Sequence, residues 1–460
     1  MAFGAALVAL AAAAGGVGEM ANVQPGGLEG RPPASQVSPL QALVDAAAPG
    51  STVTIPAGTY QGDLIIDRPL KLVGVGRPRL VGAGQGSVVR IRAPDVTVEG
   101  VNVDGRGGGD LGRDSSGVHV AAARATVRDV RIERSLFGVY LREAPGAVVE
   151  RCVIRGIPGK DAGEKGSGIH VWNTDGFTLV GNDLADVRDG LYIQSSSHGV
   201  IRGNVARDLR YGIHYMYSDD NVFEDNLFER SAAGGVLMHS RRIVFRRNQF
   251  LHNRGYSSVG LLFKACDDSL AEDNLIADNA RGIFLEGSYR DVVRRNVVAQ
   301  SDVALVLFDS CGEVRIEGNA FLGNLAPLEL VGRRTDTRLD GNYWSDNDAP
   351  DLDGDGVSDV PFVVSSLFDH LRGNLIAADL VAQSPAAAAL SAAERAFPVL
   401  RPSEAVDHRP LARRPALPSV PRPARRGRGA EPAGIALALV TLAAGVIVLA
   451  GVGRGARRPA

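Results

Sequence analysis

The chain has 460 residues, 45% hydrophobic, 22% charged and only 5% aromatic, with a formal net charge of −2. Residues 401–460 hold eleven Arg against three acidic residues, a balance of +8, which leaves −10 for residues 1–400. So acidic a body excludes a nucleic-acid binder, which needs a basic footprint.

Met1 to Gly18 is almost wholly Ala, Leu, Val and Gly. Residues 1–22 are therefore expected to be an export leader, although the basic residues usual at its start are missing. Within residues 36–50, Leu40-Gln41-Ala42-Leu43-Val44-Asp45-Ala46-Ala47 predicts one amphipathic helix. It suits the open end of a repeat structure, which needs a cap.

Residues 51–345 carry the repeat. Asn182, Asn204, Asn226, Asn248, Asn274, Asn296, Asn319 and Asn342 follow one another at steps of 22, 22, 22, 26, 22, 23 and 23 residues. Each unit also holds a Gly followed by alternating apolar residues, as in Gly168-Ile169-His170-Val171, Gly212-Ile213-His214-Tyr215 and Gly235-Val236-Leu237-Met238. Alternation is strand periodicity, and a period near 22 without a helical pattern predicts coils of a parallel β-helix, right-handed and about twelve in number. Eight residues before each of the first seven Asn stands a small side chain: Thr174, Ser196, Ser218, Ser240, Cys266, Ser288, Cys311. Stacked at a corner, Cys266 and Cys311 lie two coils apart, roughly 9–10 Å, too far for a disulfide. Cys152 takes the Asn position of an earlier coil.

Residues 346–400 form a cap that begins with Asp351-Leu352-Asp353-Gly354-Asp355-Gly356-Val357-Ser358-Asp359. Asp351, Asp353, Asp355 and Asp359 have the spacing of a calcium loop, but Phe362 replaces the usual bidentate Glu; an Asp/Gly turn without metal is the alternative. The stretch 401–433, rich in Pro, Arg and Ala, reads as a spacer. The uncharged apolar run 434–452, flanked by Arg, is long enough to cross a bilayer as a helix and to tether the solenoid to a membrane.

If Ile213 and Tyr215 point inward, His214 and Met216 point out. The same phase in each unit gives an outer column His119, Tyr140, His170, Tyr192, His214, Leu237, Leu262, Phe284 and beside it Ala121, Arg142, Trp172, Gln194, Met216, His239, Lys264, Glu286. This strip gathers four of the eight His of the chain. An aromatic-rich strip marks a contact surface, with Trp172, His170, Tyr192, Leu237, Leu262 and Lys264 as partner-binding candidates. His214, Met216 and His239 are the candidate copper ligands, because thioether plus imidazole favours Cu(I). An ordinary protein-contact patch is the alternative for that cluster.

The strings Tyr215-Met216-Tyr217-Ser218, Gly235-Val236-Leu237-Met238-His239-Ser240, Leu262-Phe263-Lys264-Ala265-Cys266-Asp267-Asp268-Ser269, Gly341-Asn342-Tyr343-Trp344 and Ala396-Phe397-Pro398-Val399-Leu400 resemble the nitrous oxide reductase maturation family NosD, over residues 36–402. The resemblance implies a periplasmic β-helix without enzymatic activity. It implies partners too: the membrane subunit and ATPase of an ABC-type transporter, a copper chaperone, and nitrous oxide reductase as the client whose copper centres are assembled. It does not assign copper ligands.

Two other functions use the same fold. A carbohydrate-binding or carbohydrate-cleaving protein would need paired carboxylates on the strip, where this reading places Glu286 alone. A purely adhesive solenoid would bind protein and no metal.

Overall fold

The computed structural model describes residues 38–255, 258–332, 336–364, 384–385, 389–390, 393 and 405–416, all in one compact unit. The leader 1–22 and the apolar run 434–452 lie outside the described residues. Among those described, no helix is long and apolar enough to cross a membrane.

Each 22-residue repeat folds into one coil of three short strands, shown by Val222–Glu224, Leu227–Glu229 and Ala233–Arg241. Equivalent strands of successive coils pair in parallel, giving three long faces of 15, 13 and 12 strands, here faces A, B and C. The result is a right-handed parallel β-helix of about 13 coils, one more than the repeat count suggests. At strand spacing the rod is about 60 Å tall. One side of every strand fills a continuous core, and Ile213, Leu237, Phe263 and Leu285 from successive face C strands are all buried there. Aromatic rings stack from coil to coil, with Phe223 4.5 Å from Phe245 and Phe321 4.2 Å from Trp344.

The Asn column lies at the turn between faces A and B, and its amides form an unbroken ladder. Asn226 Oδ1 accepts from Asn204 N at 2.9 Å and Asn204 Nδ2 at 3.0 Å, while Asn226 Nδ2 donates to Ile201 O and to Asn248 Oδ1. A buried turn has no water to satisfy its backbone, so these amides do so. The corner column works likewise: Thr174, Ser196 and Ser218 each donate a backbone N–H to the hydroxyl of the next coil. The three cysteines are free and buried in these columns. The backbone N–H of Cys152 donates to Asn182 Oδ1, and burial pushes its thiol up to about 12.

Both ends are closed by side chains that imitate a neighbouring coil. Helix α1, Pro39–Ala46, is N-capped by Ser38 and buries Leu40 and Val44. Its Gln41 amide pairs with both N and O of Ile65, covering the first face C strand. At the other end Asp407 Oδ2 accepts from Asn342 N, Asn342 Nδ2 and Trp344 Nε1, terminating the Asn ladder. Val406–Asp407 pairs with Phe362–Val363 and with the last face A strand. Residues 405–412 therefore belong to the cap and not to the spacer, because the ladder's last open donors need a buried acceptor.

One core carboxylate is out of balance. Asp291 Oδ1 accepts from Ser269 N, but Oδ2 is buried without a partner. Burial, aided by the carboxylates of Asp267 and Asp268, pushes its pKa up to about 8. The folded state thus keeps a proton that the unfolded chain releases near 4, so this group's contribution to stability falls as pH rises from about 4 to about 8. Asp291→Asn should flatten that slope and raise the melting point at pH 8 by about 2–5 °C, with little change at pH 4.5. Parallel melting curves for both proteins across that range check this.

Candidate functional site

The outer side of face C is set by a glycine column. A Cβ on Gly190, Gly212, Gly234 or Gly260 would meet the carbonyl O of the next coil at 2.5–2.8 Å. The glycine required at this step of the fourth unit is Gly234, and Gly235 pairs with the core residues Ile213 and Leu261. The register expected from Gly235 is consequently wrong by one residue in that unit. Leu237 faces the core and is fully buried, so it is no partner-binding residue. Val236 takes its place in the first outer column, next to His214, and Met238 takes the place of His239 beside Met216.

Met216 and Met238 are therefore neighbours on adjacent strands, both partly exposed, with Lys264 next in line. His214 lies on the same strand as Met216, one outward position away, or about 7 Å. It is only 5% exposed. His239 instead sits at the exposed corner in the left-handed region, φ 51°, its ring stacked 5.3 Å from that of Tyr217, φ 50°. Other coils use Ser195, Ala265 and Gly287 at this left-handed corner.

His214 is held by groups that sequence reasoning missed. Its Nδ1 lies 3.3 Å from Asp189 Oδ2 and 3.3 Å from Arg210 Nη2. Asp189 has no exposed surface, and Arg210 grips both its oxygens at 2.8 and 2.6 Å. Burial by itself would raise the Asp189 carboxyl, but the bonds from His214 and Arg210 outweigh it and hold the group below the ordinary carboxylate range. Both contacts meet the Nδ1 edge of the ring, so Asp189 and Arg210 together fix its orientation. The signal in the sequence was a charged pair, Arg188-Asp189, directly before the column glycine, where other coils carry Tyr211, Ala233 and Val259.

The remaining strip residues divide by neighbourhood. His119, Tyr140, His170, Tyr192 and His214 form one ring column, with His170 stacked 4.4 Å from Tyr140 and 4.3 Å from Tyr192. Burial lowers His119 to about 4 and His170 to about 3, so both imidazoles are neutral at pH 7. Trp172 lies under Arg142 at 5.2 Å. Leu262 faces outward as expected but is buried in an apolar patch with Phe284 and Val306. Lys264 is paired with Glu286 at 2.9 Å.

In the Asp/Gly loop, Asp351, Asp353 and Asp359 bring carboxylate oxygens within 4.8 Å of one another, a set that a hard cation could use; Asp355 is not among them. These carboxylates accept backbone N–H groups of their own loop, including Gly354 N and Gly356 N on Asp351.

The comparisons agree with the repeat. A family profile described as the periplasmic copper-binding protein NosD matches residues 154–349. A Pseudomonas aeruginosa protein named a probable ABC transporter binding protein NosD is 36% identical over 390 residues, covering 80% of this chain and 90% of that one. A Stutzerimonas stutzeri protein of the same name is 35% identical over 381 residues, covering 78% and 86%. Among solved structures, the Dettilon tailspike protein is similar with a TM-score of 0.50 and 11% identity over 64% of each chain, a likeness of fold alone.

Proposed function

Because the chain belongs to the NosD family, we propose that it is a periplasmic, non-enzymatic copper-handling protein working beside an ABC-type transporter. In this reading it holds Cu(I) in transit, taking it from a chaperone and serving the assembly of the copper centres of nitrous oxide reductase. Copper is cargo and not a resident cofactor.

One observation carries the reading. The chain has four methionines, Met1, Met20, Met216 and Met238. The two outside the leader are brought together by strand register on the outer side of face C. Paired thioethers suit a soft, monovalent ion. His214 Nε2 supplies a third donor, oriented by Asp189 in the manner of a carboxylate behind a metal-bound imidazole. His239, exposed at the corner beside Met238, is placed to receive the ion from a donor before the methionines do. The cysteines stay outside this scheme, since burial raises all three thiols.

The carbohydrate alternative gains nothing from Asp189. A fully buried carboxylate gripped by arginine has neither the access nor the free partner that acid–base chemistry needs.

The test is an anaerobic Cu(I) titration against a chromophoric chelator. Replacing Met216 and Met238 together with Leu, which keeps their volume, should weaken Cu(I) binding at least tenfold and leave the melting point within about 3 °C. Undiminished affinity in the double variant would remove the pair from the account.

A further inference from the structure

Burial divides the oxidisable sulfur of this chain. Cys152, Cys266 and Cys311 are at most 3% exposed, and burial raises all three thiols. Oxidation of a thiol proceeds through an accessible thiolate, so the folded protein keeps these three out of reach. A thioether has no proton to lose, and access alone limits its oxidation. Met216 and Met238 are both partly exposed. Strand register therefore sets the two accessible sulfurs outside the leader side by side, as the pair read above as holding copper.

The neighbours of the pair suit its oxidised form. Gln194, Met216, Met238 and Lys264 follow one another on four adjacent strands of face C. Gln194 Oε1 accepts from Tyr192 Oη at 2.8 Å, which leaves its amide N–H groups as donors. Lys264 Nζ donates to Glu286 Oε1 at 2.9 Å and has N–H groups to spare. Each methionine thus has a donor-bearing side chain as its other neighbour. Such a neighbour serves a sulfoxide oxygen far better than a thioether, which is a weak acceptor.

We propose that Met216 and Met238 form a reversible oxidation site, at which hydrogen peroxide converts a Cu(I)-holding pair into one that releases the ion. At each residue the peroxide O–O bond breaks and an S–O bond forms. Sulfur gives up two electrons, and the second peroxide oxygen leaves as water with both protons. A sulfoxide oxygen, a hard donor, then stands where soft sulfur stood, and Cu(I) favours the soft one. In the return step two thiols of a reductant become a disulfide and the added oxygen leaves as water, the reaction of the methionine sulfoxide reductases. The release of copper rests on the copper reading; the oxidation does not.

In the test, the full chain without metal is treated with hydrogen peroxide at neutral pH and cleared of it with catalase. One portion goes to peptide mass analysis and the other to the Cu(I) titration. One added oxygen on each of Met216 and Met238, and none on the three cysteines, is the expected pattern. Cu(I) affinity should fall by about tenfold or more and return after treatment with methionine sulfoxide reductases A and B and dithiothreitol. Oxygen on a cysteine before either methionine, or none on the pair, overturns the site. Affinity that stays low once the reductases have removed both oxygens overturns it as well. Full affinity in the oxidised protein, with affinity lost when both methionines are Leu, overturns the switch and leaves the copper reading standing. Full affinity in both overturns the copper reading, and the switch falls with it.

Discussion

Replacing Asn226 with Leu is expected to cost about 3–5 kcal/mol, more than any surface change on this rod. Leucine fills nearly the same space, so the effect isolates the amide. It leaves the backbone N–H of Asn204 and the carbonyl of Ile201 without partners in the core, and it cuts the side-chain link to Asn248. Each buried group so orphaned costs about 1–3 kcal/mol. Urea unfolding would register the loss, and hydrogen exchange would place it in the coils on either side of residue 226. A loss below about 1 kcal/mol would mean that the ladder is a consequence of the stacking and not a cause of it.

Removing the Asp407 carboxylate should be nearly as damaging, but locally. Asp407→Ala takes the acceptor from Gly341 N, Asn342 N, Asn342 Nδ2 and Trp344 Nε1. By the same arithmetic the last coil loses about 3–6 kcal/mol of protection. Amide exchange at Asn342 and Tyr343 should accelerate to near the unfolded rate, while exchange at Asn204 stays slow. Asp407→Asn keeps one acceptor oxygen and should fall between. In a Trp172→Phe background, the emission of Trp344 should shift to the red as its indole meets water. Uniform loosening of all coils would contradict a purely terminal role.

What the sequence disclosed follows from stacking. Where the same side chain must satisfy its own copy in the next coil, composition repeats, so the Asn and Ser columns were legible. Their hydrogen bonds follow the expected order from Asn182 to Asn342. The site was less legible because its residues occur once. Asp189 stands where the next three coils carry Tyr211, Ala233 and Val259, and the Arg188–Arg210 step is not continued by Ala232, so no column announced them. Asp407 lies 65 residues beyond the Asn it caps, inside a stretch whose Pro and Arg content suggests a spacer. The Gly234-Gly235 pair offered two registers, and the wrong one exchanged Met238 for His239. The corner column held the answer: Ser218 follows Met216 by two residues as Ser240 follows Met238, and those two serines are bonded neighbours.

That register also changes the chemistry. A mixed His/Met pair becomes two adjacent thioethers, with a buried imidazole on one side and an exposed imidazole on the other. The path from His239 inward to Met238, Met216 and His214 runs from a solvent-facing donor to one fixed by Asp189, an order suited to taking up an ion and then holding it. The apolar patch of Leu262, Phe284 and Val306 lies on the same side of the rod toward its C-terminal end.

The most direct test is X-ray absorption at the copper edge on the protein loaded anaerobically with one equivalent of Cu(I). Sulfur scatterers in the first shell of the wild type, replaced by nitrogen or oxygen alone when Met216 and Met238 are both Leu, are the expected result. A wild-type shell without sulfur, or an identical sulfur shell in the double variant, would show that the methionine pair does not hold the ion.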